Sequence, residues 1–278
     1  MTLPAPSDRT TAIVTGASSG IGAEIARQLA RRNHGVTLVA RREDRLRTLA
    51  EELAHAHGVR AEVIAADMTD PDARAGLVDE LEARGLTPDI LVNNAGFSTM
   101  GPVQRADRAR ELAMVRTDVE AVVDLCTLFV PGMATRRRGA VLNTASTAAF
   151  QPLPGQAAYG ASKAFVLSYS RALGAELRGT GVTVTALCPG PVETGFVEAA
   201  GMSDAEAAET LPSFMWVPAE QVAAAAVEGL AAGRSVVIPG ALNRAAAGVA
   251  YLTPKALLLP FMARTHPALR PVARQVAR

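Results

Sequence analysis

The strongest constraint on the fold is a regular alternation of short β-branched runs with longer segments of helical period. The first run, residues 11–15, reads TAIVT, and in the segment after it Ile21, Ile25 and Leu29 recur at helical spacing. Six later runs have the same strand-like character: 36–40, 61–65, 89–93, 139–145, 182–187 and 235–238. Strands that alternate with helices predict an α/β fold, a doubly wound parallel sheet of about seven strands flanked by helices.

Helices are expected between these strands, and the sequence shows no dividing linker and no internal repeat. The predicted helices cover 21–32, 43–57, a segment from Pro71, 105–135, 159–178 and 218–231. We expect one domain at 10–240, after a flexible N-terminus at 1–9 and before a C-terminal extension at 241–278. An insertion at 190–217 lies outside the regular alternation.

Charge and composition exclude several classes of function. Basic and acidic side chains nearly balance, 28 against 27, so there is no electrostatic case for a nucleic-acid partner. The four histidines form no cluster with metal-ligand spacing, so no metal is expected. No apolar run approaches the ~18 residues of an integral membrane span. Two cysteines in apolar surroundings, Cys126 and Cys188, favour reduced thiols and a cytoplasmic location.

A glycine-rich turn follows the first predicted strand and leads directly into a helix. Residues 15–22 read TGASSGIG, and this context of strand, turn and helix is what a dinucleotide site requires. Main-chain N–H groups at the start of a helix attract phosphate charge. Glycines also serve ordinary turns, so the position after the first strand carries the argument. The cofactor-binding residues predicted here are Gly16, Ser18, Ser19, Gly20, Ile21 and Gly22.

The residue after the second predicted strand indicates which dinucleotide is bound. An acidic side chain about 20 residues past the turn would hold a free ribose 2′-hydroxyl. Here that place holds Arg41, followed by Arg42, and an arginine suits a 2′-phosphate. We therefore expect NADP(H), with NAD as the less favoured cofactor. In the alternative interpretation both arginines only cap a strand in solvent.

Polar and small residues follow the third and fourth predicted strands. Asp67, next to Met68, is placed to accept hydrogen bonds from an adenine amino group, and it is equally suited to cap the next turn. Asn94, Ala95 and Gly96 follow the fourth strand in an NNAG segment. Small side chains there would let a cofactor approach, and amides would tie neighbouring strands together. A plain turn is the alternative.

The chemistry-bearing residues come after the fifth predicted strand. Tyr159 and Lys163 stand four residues apart at the start of a helix and therefore share a face. A neighbouring ammonium and an oxidised, positively charged nicotinamide both favour the phenolate and are expected to lower the tyrosine pKa. Tyr159 can then exchange a proton with a carbonyl oxygen. Ser146, at the end of the fifth strand, is placed to hold that oxygen. A Tyr–Lys pair alone is a weak motif, and its strength comes from the order of the preceding motifs.

Taken in order, these motifs resemble the short-chain dehydrogenase/reductase family in its compact form, over about residues 10–240. The matching pieces are TGASSGIG (15–22), Asp67, NNAG (93–96), Ser146, YGASK (159–163) and PGPVET (189–194). The resemblance implies a Rossmann-type domain, hydride transfer between NADP(H) and a carbonyl or alcohol substrate, Tyr159 as acid and base, and Lys163 on the nicotinamide ribose. It also implies a homodimer or homotetramer, and a nicotinamide side formed by Pro189, Gly190, Val192 and Thr194.

One position departs from the family pattern. The family usually carries an asparagine in the long helix after NNAG, where it supports a water-linked proton relay to the lysine. Between Asn94 and Asn143 this sequence has no asparagine, and by spacing Asp118 takes the place. A carboxylate there would raise the lysine pKa and still hold a water, so we expect catalysis to survive. In the alternative, Asp118 is a surface residue and the relay position is empty.

The insertion 190–217 corresponds to the substrate lid of the family, and its aromatic side chains favour a lipophilic substrate. The substrate residues predicted are Phe97, Phe150, Phe196 and Trp216, each of which is as readily explained by packing. The C-terminal extension carries apolar and basic residues, and three prolines, Pro254, Pro260 and Pro267, are expected to break it into short pieces. It is expected to cover the active site, to join an oligomer contact or to lie on a membrane surface, in that order of preference.

Two other functions share parts of this pattern. A catalytically silent NADP-binding sensor would keep the glycine-rich turn, but the presence of Ser146, Tyr159 and Lys163 argues against it. A sugar-nucleotide epimerase or dehydratase shares the turn and the Tyr–Lys pair, but it usually needs a larger C-terminal domain than this chain provides.

Overall fold

A seven-stranded parallel sheet organises the protein. We describe residues 3–193, 215–265 and 269 of a computed structural model. The strands are β1 (Thr10–Thr15), β2 (Val36–Ala40), β3 (Ala61–Ala65), β4 (Thr87–Asn93), β5 (Gly139–Thr144), β6 (Val182–Leu187), β7 (Val192–Glu193), β8 (Val217–Pro218) and β9 (Val236–Val237). The sheet has the order β3-β2-β1-β4-β5-β6-β9, while β7 and β8 form a separate parallel pair. The predicted α/β fold and doubly wound sheet are confirmed.

Helices cover both faces of this sheet. They are α1 (Gly20–Ala30), α2 (Glu43–His57), α3 (Pro71–Ala83), α4 (Arg108–Val115), α5 (Ala121–Thr135), α6 (Ala157–Glu176), α7 (Ala219–Ala231), α8 (Ala241–Leu252) and α9 (Lys255–Thr265). Neighbouring strand residues belong to different cores: Val14 packs with α1, α2 and α7, whereas Ile13 packs with α3 and α5. Successive side chains of a strand point to opposite faces, so the β-branched runs are buried on both sides.

The sheet order places the functional segments together. Strand β1 lies between β2 and β4 in the sheet. The chain therefore adds β2 and β3 on one side of β1 and then crosses over to add β4, β5 and β6 on the other side. Ligands of such sheets bind at the carboxyl ends of the strands, where the order reverses. The segments after β1, β4 and β5 meet at that edge, and they carry the glycine-rich turn, the NNAG segment and Ser146.

The long helical stretch predicted at about 105–135 is present from Arg108 to Thr135, but a π-helical turn interrupts its α-helical pattern. Asp107 caps the start of α4 by accepting from the N–H groups of Ala109 and Arg110, and α4 gives way to a π-helical turn, Arg116–Glu120, before α5 begins. In this turn the N–H of Ala121 donates to the carbonyl of Arg116, one residue farther back than in an α-helix. Turns of this kind often mark functional positions.

Smaller differences concern element ends and the C-terminal extension. Helix α6 begins two residues before Tyr159, and β5 ends at Thr144, before Ser146. Pro254 does separate α8 from α9, but Pro260 lies inside α9, where a proline removes one hydrogen bond without ending the helix. Pro267 lies outside the described residues.

None of the described helices is by itself long and apolar enough to cross a membrane. The segments Ala241–Leu252 and Lys255–Arg264 meet that criterion only when they are taken together, and they are bent by 112° at the break between them.

A buried arginine connects two segments that border the site. Arg74 of α3 is 2% exposed, and its guanidinium donates to Glu120 and Asp124 at 2.5 Å each and to the main-chain carbonyl of Met68 at 2.8 Å. It therefore joins the loop after β3 to the π-helical turn and α5. A buried arginine on a helix gives no sequence signal, because its partners lie 46 and 50 residues away.

We expect Arg74→Met to lower the free energy of unfolding by about 2 kcal/mol, because it leaves the carboxylates of Glu120 and Asp124 without their buried partner. The matched control is Arg84→Met, which removes an arginine that pairs with Glu80 and Glu62 at a more exposed place. Exposed pairs contribute roughly 0–1 kcal/mol. Urea unfolding followed by circular dichroism measures both variants, and equal losses would contradict the assignment.

Candidate active site

The glycine-rich turn after β1 forms a cradle with a helix start above it. Gly16 has φ +67°, and a Cβ on Gly22 would lie 2.4 Å from the carbonyl oxygen of Gly16. Neither position therefore accepts a larger residue without a shift of the main chain. Ser19 is the N-cap of α1, but its side chain does not cap the helix. The first N–H groups of α1 are thus left for another acceptor, as a phosphate-binding helix requires.

Two arginines border this turn, and the structure distinguishes them. The Arg42 Nη2 donates to the hydroxyl oxygens of Ser18 and Ser19, at 2.9 Å each. The Arg41 Nη1 lies 3.9 Å from a carboxylate oxygen of Asp67, and 74% of the Arg41 side chain is exposed. Arg42 therefore binds the turn, whereas Arg41 remains mostly in solvent at the end of β2. The contact of Arg42 with both serines was not predicted, since the sequence does not show which of two adjacent arginines faces the turn.

Asp67 caps the turn after β3. Its Oδ1 accepts hydrogen bonds from the main-chain N–H of Thr69 at 2.9 Å and from the Thr69 hydroxyl at 3.0 Å. Asp67 therefore caps this turn, which is one of the two roles that the sequence allowed. Its other oxygen, Oδ2, lies 3.9 Å from the Arg41 Nη1. The neighbouring Met68 is buried, with its carbonyl held by Arg74.

The NNAG segment joins three strands. The Asn94 side-chain amide donates to the carbonyl of Thr15 at 3.1 Å, and the Thr15 hydroxyl accepts from the N–H groups of Asn94 and Ala95 at 3.0 Å each. Asn93 donates to the side-chain oxygen of Asn143 on β5 at 2.8 Å. The expected amide links between strands are confirmed. Thr15 is a further residue of this network that the sequence analysis missed.

Tyr159 and Lys163 meet Asp118 in a buried cluster. The Lys163 Nζ lies 5.7 Å from the centre of the Tyr159 ring, 2.9 Å from Oδ2 of Asp118 and 3.2 Å from the carbonyl oxygen of Thr144. Asp118 is fully buried in the π-helical turn, so its interpretation as a surface residue is wrong. Its other oxygen, Oδ1, accepts from the N–H of Phe97 at 3.2 Å.

Gly96 completes the floor of this cluster. A Cβ there would lie 2.8 Å from Oδ1 of Asp118 and 3.3 Å from the Lys163 Nζ. The glycine of NNAG therefore leaves room for the ion pair. Oδ2 of Asp118 has no well-directed hydrogen bond within the described part of the chain, so its contact with the ammonium is chiefly ionic.

Ser146 begins a short 3₁₀ turn rather than ending β5. Its Oγ accepts from the N–H of Ala148 at 3.1 Å and lies 3.4 Å from the carbonyl of Pro189. Burial raises the pKa of Tyr159, and a hydrogen bond with Ser146 acts weakly in the opposite direction, which indicates that the two hydroxyl groups lie close together. The predicted association of Ser146, Tyr159 and Lys163 is therefore present in the fold.

Burial and charge act in opposite directions on the ion pair. Burial alone disfavours the ammonium of Lys163, but the charge and hydrogen bond of Asp118, together with the nearby Tyr159, outweigh it and the pKa of Lys163 is raised. Burial raises the pKa of Asp118, and the positive charge of Lys163 only partly offsets this effect. The sequence-based expectation that Asp118 raises the lysine pKa is met.

In the protein without cofactor the pKa of Tyr159 is raised, whereas the expected lowering included the charge of an oxidised nicotinamide. Burial raises the pKa of Tyr159, Lys163 acts to lower it, and the charge of Asp118 raises it again. The carboxylate cancels part of the effect of the ammonium. The sequence-based expectation counted the charges of the lysine and of an oxidised nicotinamide, and it omitted burial.

The remaining predicted site residues are distributed around this cluster. Phe150 packs in an apolar group with Ala247 and makes an edge contact with Tyr251, so its packing role is present. Pro189 and Val192 are buried beyond β6, with Gly190 beside Asn243 of α8. Phe97 and Trp216 are half-buried. Thr194 and Phe196 lie outside the described residues.

The two cysteines carry protonated thiols, and Cys188 lies near Ser146 and Lys163. Both are buried as free thiols, and burial raises the pKa of Cys126 to about 11 and that of Cys188 to about 12. Over residues 3–193 and 215–265, no group of three or more metal-ligating side chains occurs.

Comparison with known proteins assigns the family. The model of the short chain dehydrogenase family matches residues 10–204, well over half of the chain. The protein therefore belongs to the short-chain dehydrogenase family.

Individual relatives are similar over the same region. A short chain dehydrogenase of Pseudocercospora fijiensis (strain CIRAD86) is 40% identical over 188 residues, which cover 66% of this chain and 60% of that protein. A putative ketoacyl reductase of Streptomyces coelicolor is 41% identical over 192 residues, covering 68% of this chain and 73% of the relative. A short-chain dehydrogenase from Sphingobium yanoikuyae, solved in complex with NADPH, is 33% identical with a TM-score of 0.76 and covers 89% of this chain and 97% of its own.

We expect Asp118→Asn to lower the pKa of Lys163, because burial is then no longer opposed by a buried carboxylate. If activity needs the charged lysine, the decrease of kcat/KM on the alkaline side of the pH profile (its alkaline limb) would then begin at a lower pH. Turnover itself is expected to survive. The measurement is the pH dependence of kcat/KM in the wild type and the variant.

Asp124→Asn is the matched control, because this acid of the neighbouring helix pairs with Arg74 instead. An unchanged alkaline limb in Asp118→Asn would contradict the charge assignment. A rise in turnover by orders of magnitude would contradict the expectation that an aspartate is tolerated there.

Proposed function

We propose that the protein is an NADP(H)-dependent oxidoreductase that interconverts a ketone or aldehyde with an alcohol. The observation that carries the proposal is the buried cluster in which Lys163 contacts Tyr159 and Asp118 and in which Ser146 shares a hydrogen bond with Tyr159. This cluster lies at the carboxyl ends of β4 and β5, beside the glycine-rich turn. This arrangement supports the proposal that Tyr159 acts as a proton donor beside a dinucleotide site.

The residues of the cradle fit a dinucleotide phosphate. The uncapped start of α1 and the close approach of Gly16 and Gly22 suit a pyrophosphate, and Asp67 and Met68 border the adenine side. Asn94, Ala95, Gly96 and Lys163 border the ribose, with Pro189 to Val192 on the nicotinamide side. When bound, NADPH supplies a hydride to the carbonyl carbon of the substrate. Every other step belongs to the side chains of the protein.

The proposed reduction needs one proton in addition to the hydride. The Ser146 hydroxyl donates a hydrogen bond to the substrate carbonyl oxygen and holds it beside the phenol. Tyr159 transfers its phenolic proton to that oxygen as the C=O bond becomes a C–OH bond. Burial keeps Tyr159 protonated beforehand, which suits it to act as the acid. In the reverse direction the phenolate takes the proton back.

Lys163 and Asp118 control the charge around this proton. The ammonium of Lys163 stabilises the phenolate that remains after transfer. Asp118 keeps the lysine charged in spite of complete burial, and its position near the main chain of Phe97 suits it to hold a water that returns the proton. The carboxylate thereby replaces the asparagine expected in the family.

The arginines support the preference for NADP(H). Arg41 and Arg42 bring two guanidinium groups to the end of β2, and Arg42 already binds the turn through Ser18 and Ser19. A 2′-phosphate would accept charge-assisted hydrogen bonds from such groups. The NADPH bound by the Sphingobium yanoikuyae relative agrees with this choice.

A lipophilic substrate and a symmetric assembly complete the proposal. Half-buried Phe97 and Trp216 border the catalytic end of the sheet, and the ketoacyl reductase relative acts on a carbonyl by its name. For a homodimer or homotetramer the candidate faces are those of α4 and α6, where Leu112 and Phe165 are exposed.

We expect Tyr159→Phe to lower kcat by a factor of about 10²–10⁴, because the phenyl ring keeps the packing and removes the proton donor. Oxidation of NADPH is followed by absorbance with a panel of lipophilic ketones and aldehydes, while NADPH binding is measured separately by fluorescence. Tyr169→Phe, on the same helix outside the cluster, is the control. A fully active Tyr159→Phe would eliminate the mechanism.

The same assay separates an enzyme from a silent sensor. Tight NADPH binding by the wild type without turnover of any carbonyl or alcohol would support the sensor. Loss of turnover in Tyr159→Phe with unchanged NADPH binding supports the enzyme.

Substitution of either arginine tests the cofactor preference. We expect Arg42→Ala and Arg41→Ala each to raise the KM for NADPH about tenfold or more and to leave the KM for NADH nearly unchanged, because only NADPH carries the 2′-phosphate. Arg45→Ala, an exposed residue one turn into α2, controls for the loss of general positive charge. Equal effects on both cofactors would count against a 2′-phosphate contact.

A further inference from the structure

The large apolar side chains that remain exposed are concentrated in α8 and α9. Ten such residues occur in the described part of the chain, and six of them belong to these two helices. We call these six the tail surface: Leu242, Val249, Tyr251, Leu252, Leu257 and Leu259. An apolar surface of this kind on a folded protein marks an interaction site.

The apolar residues of α8 form a stripe on its outer side. Leu242, Val249 and Leu252 stand at positions i, i+7 and i+10, which project in similar directions from a helix. The opposite side holds the two buried residues of this helix, Asn243 and Ala247. Asn243 donates to the carbonyl of Met215 at 3.1 Å. The polar and small side of α8 therefore faces the protein, and the apolar side faces away from it.

The charged side chains of the C-terminal extension itself have one sign. Residues 241–278 contain six lysines or arginines and no aspartate or glutamate, in a chain whose net charge is only +1. Arg244, Lys255 and Arg264 lie on α8 and α9 and are exposed. None of the three forms an ion pair with an acidic side chain of the described residues, although the Lys255 ammonium donates to the carbonyls of Phe150 and Ala250.

The dimensions of the two helices exclude a transmembrane arrangement of either one. Helix α8 has 12 residues and α9 has 11, so each is less than about 20 Å long. The apolar core of a bilayer is about 30 Å thick. Short helices with an outward apolar stripe and basic residues bind instead within the lipid headgroup region.

We propose that the tail surface docks on a lipid bilayer that contains anionic headgroups. The apolar stripe supplies contact with the acyl chains, and the basic residues supply attraction to the headgroups. A second copy of this chain is the weaker candidate, because two tail surfaces brought together would place like charges against each other. Apolar contact alone would fit either a bilayer or a second copy of the chain. The uniform positive charge of the extension favours the anionic bilayer.

The docked orientation brings the catalytic end of the sheet close to the lipid. Phe150, at the end of the 3₁₀ turn that begins at Ser146, touches Tyr251 with ring centres 6.4 Å apart and accepts a hydrogen bond from Lys255 at its carbonyl. The tail surface thus adjoins the segment that carries Ser146. Membrane docking is nevertheless independent of the proposed reaction and is tested without it.

Flotation with lipid vesicles tests the proposal on the full chain. One set of vesicles contains only phosphatidylcholine, and the other contains phosphatidylcholine with 30% phosphatidylglycerol (roughly the charge density of an anionic membrane). The expected result is binding to the anionic vesicles that weakens with added salt, and much weaker binding to the neutral vesicles.

Substitutions separate the apolar and the charged contributions. We expect Arg244→Gln with Arg264→Gln to weaken binding by a factor of about 25, since each basic residue near an anionic surface contributes about fivefold. Val249→Asn with Leu252→Asn is expected to weaken it by more than about tenfold through loss of buried apolar area. The controls are Arg45→Gln with Arg178→Gln for charge, and Val103→Asn for an exposed apolar side chain outside the tail surface.

Clear outcomes would overturn the proposal. Docking on an anionic bilayer is contradicted if the wild-type protein floats with neither set of vesicles. It is also contradicted if the protein floats equally with both sets. If Val249→Asn with Leu252→Asn changes the sedimentation-equilibrium mass without any change in flotation, the surface joins copies of the chain instead. Circular dichroism and thermal unfolding of every variant show that the fold is retained, so that loss of flotation reports on docking alone.

Discussion

The ion pair between Lys163 and Asp118 is the interaction on which the rest of the site depends. Both groups are buried, and a charge is stable at that depth only because its partner lies 2.9 Å away. The pair needs the π-helical turn to direct Asp118 inward and Gly96 to leave space beside it. It also sets the charge around Tyr159, where the two members of the pair act in opposite directions. A family position usually held by a neutral amide is thus occupied here by an anion with a strong partner.

The parallel sheet explains why residues so distant in sequence meet. Strands β1, β4 and β5 end at one edge, and the Thr15 hydroxyl, the Asn94 amide and the Asn93–Asn143 hydrogen bond hold these ends together. These hydrogen bonds between buried or partly buried polar groups fix the relative height of the three strands. The glycine-rich turn and the catalytic cluster take their positions from that alignment.

Much of this arrangement was predictable from the sequence, and the failures have physical causes. The alternation of strand and helix periods predicted the fold correctly, because short β-branched runs that are buried on both faces are typical of parallel sheets. Asp118 was located by spacing alone, whereas the π-helical turn that buries it depends on tertiary packing and leaves no local pattern. The raised pKa of Tyr159 was missed because burial outweighs the nearby lysine. The contacts of Arg42 with the serines and the buried pairing of Arg74 were missed because the partners are remote in sequence.

The way α8 joins the protein has an evolutionary consequence. Only Asn243 and Ala247 of this helix are buried, and the main sheet ends with the two-residue strand β9 before the helix begins. The outward-facing residues of α8 and α9 therefore contribute little to the free energy of folding of the hydrophobic core. Mutations can accumulate there at little cost to folding, so the tail is a modular part that selection can exchange while the catalytic chemistry is inherited unchanged.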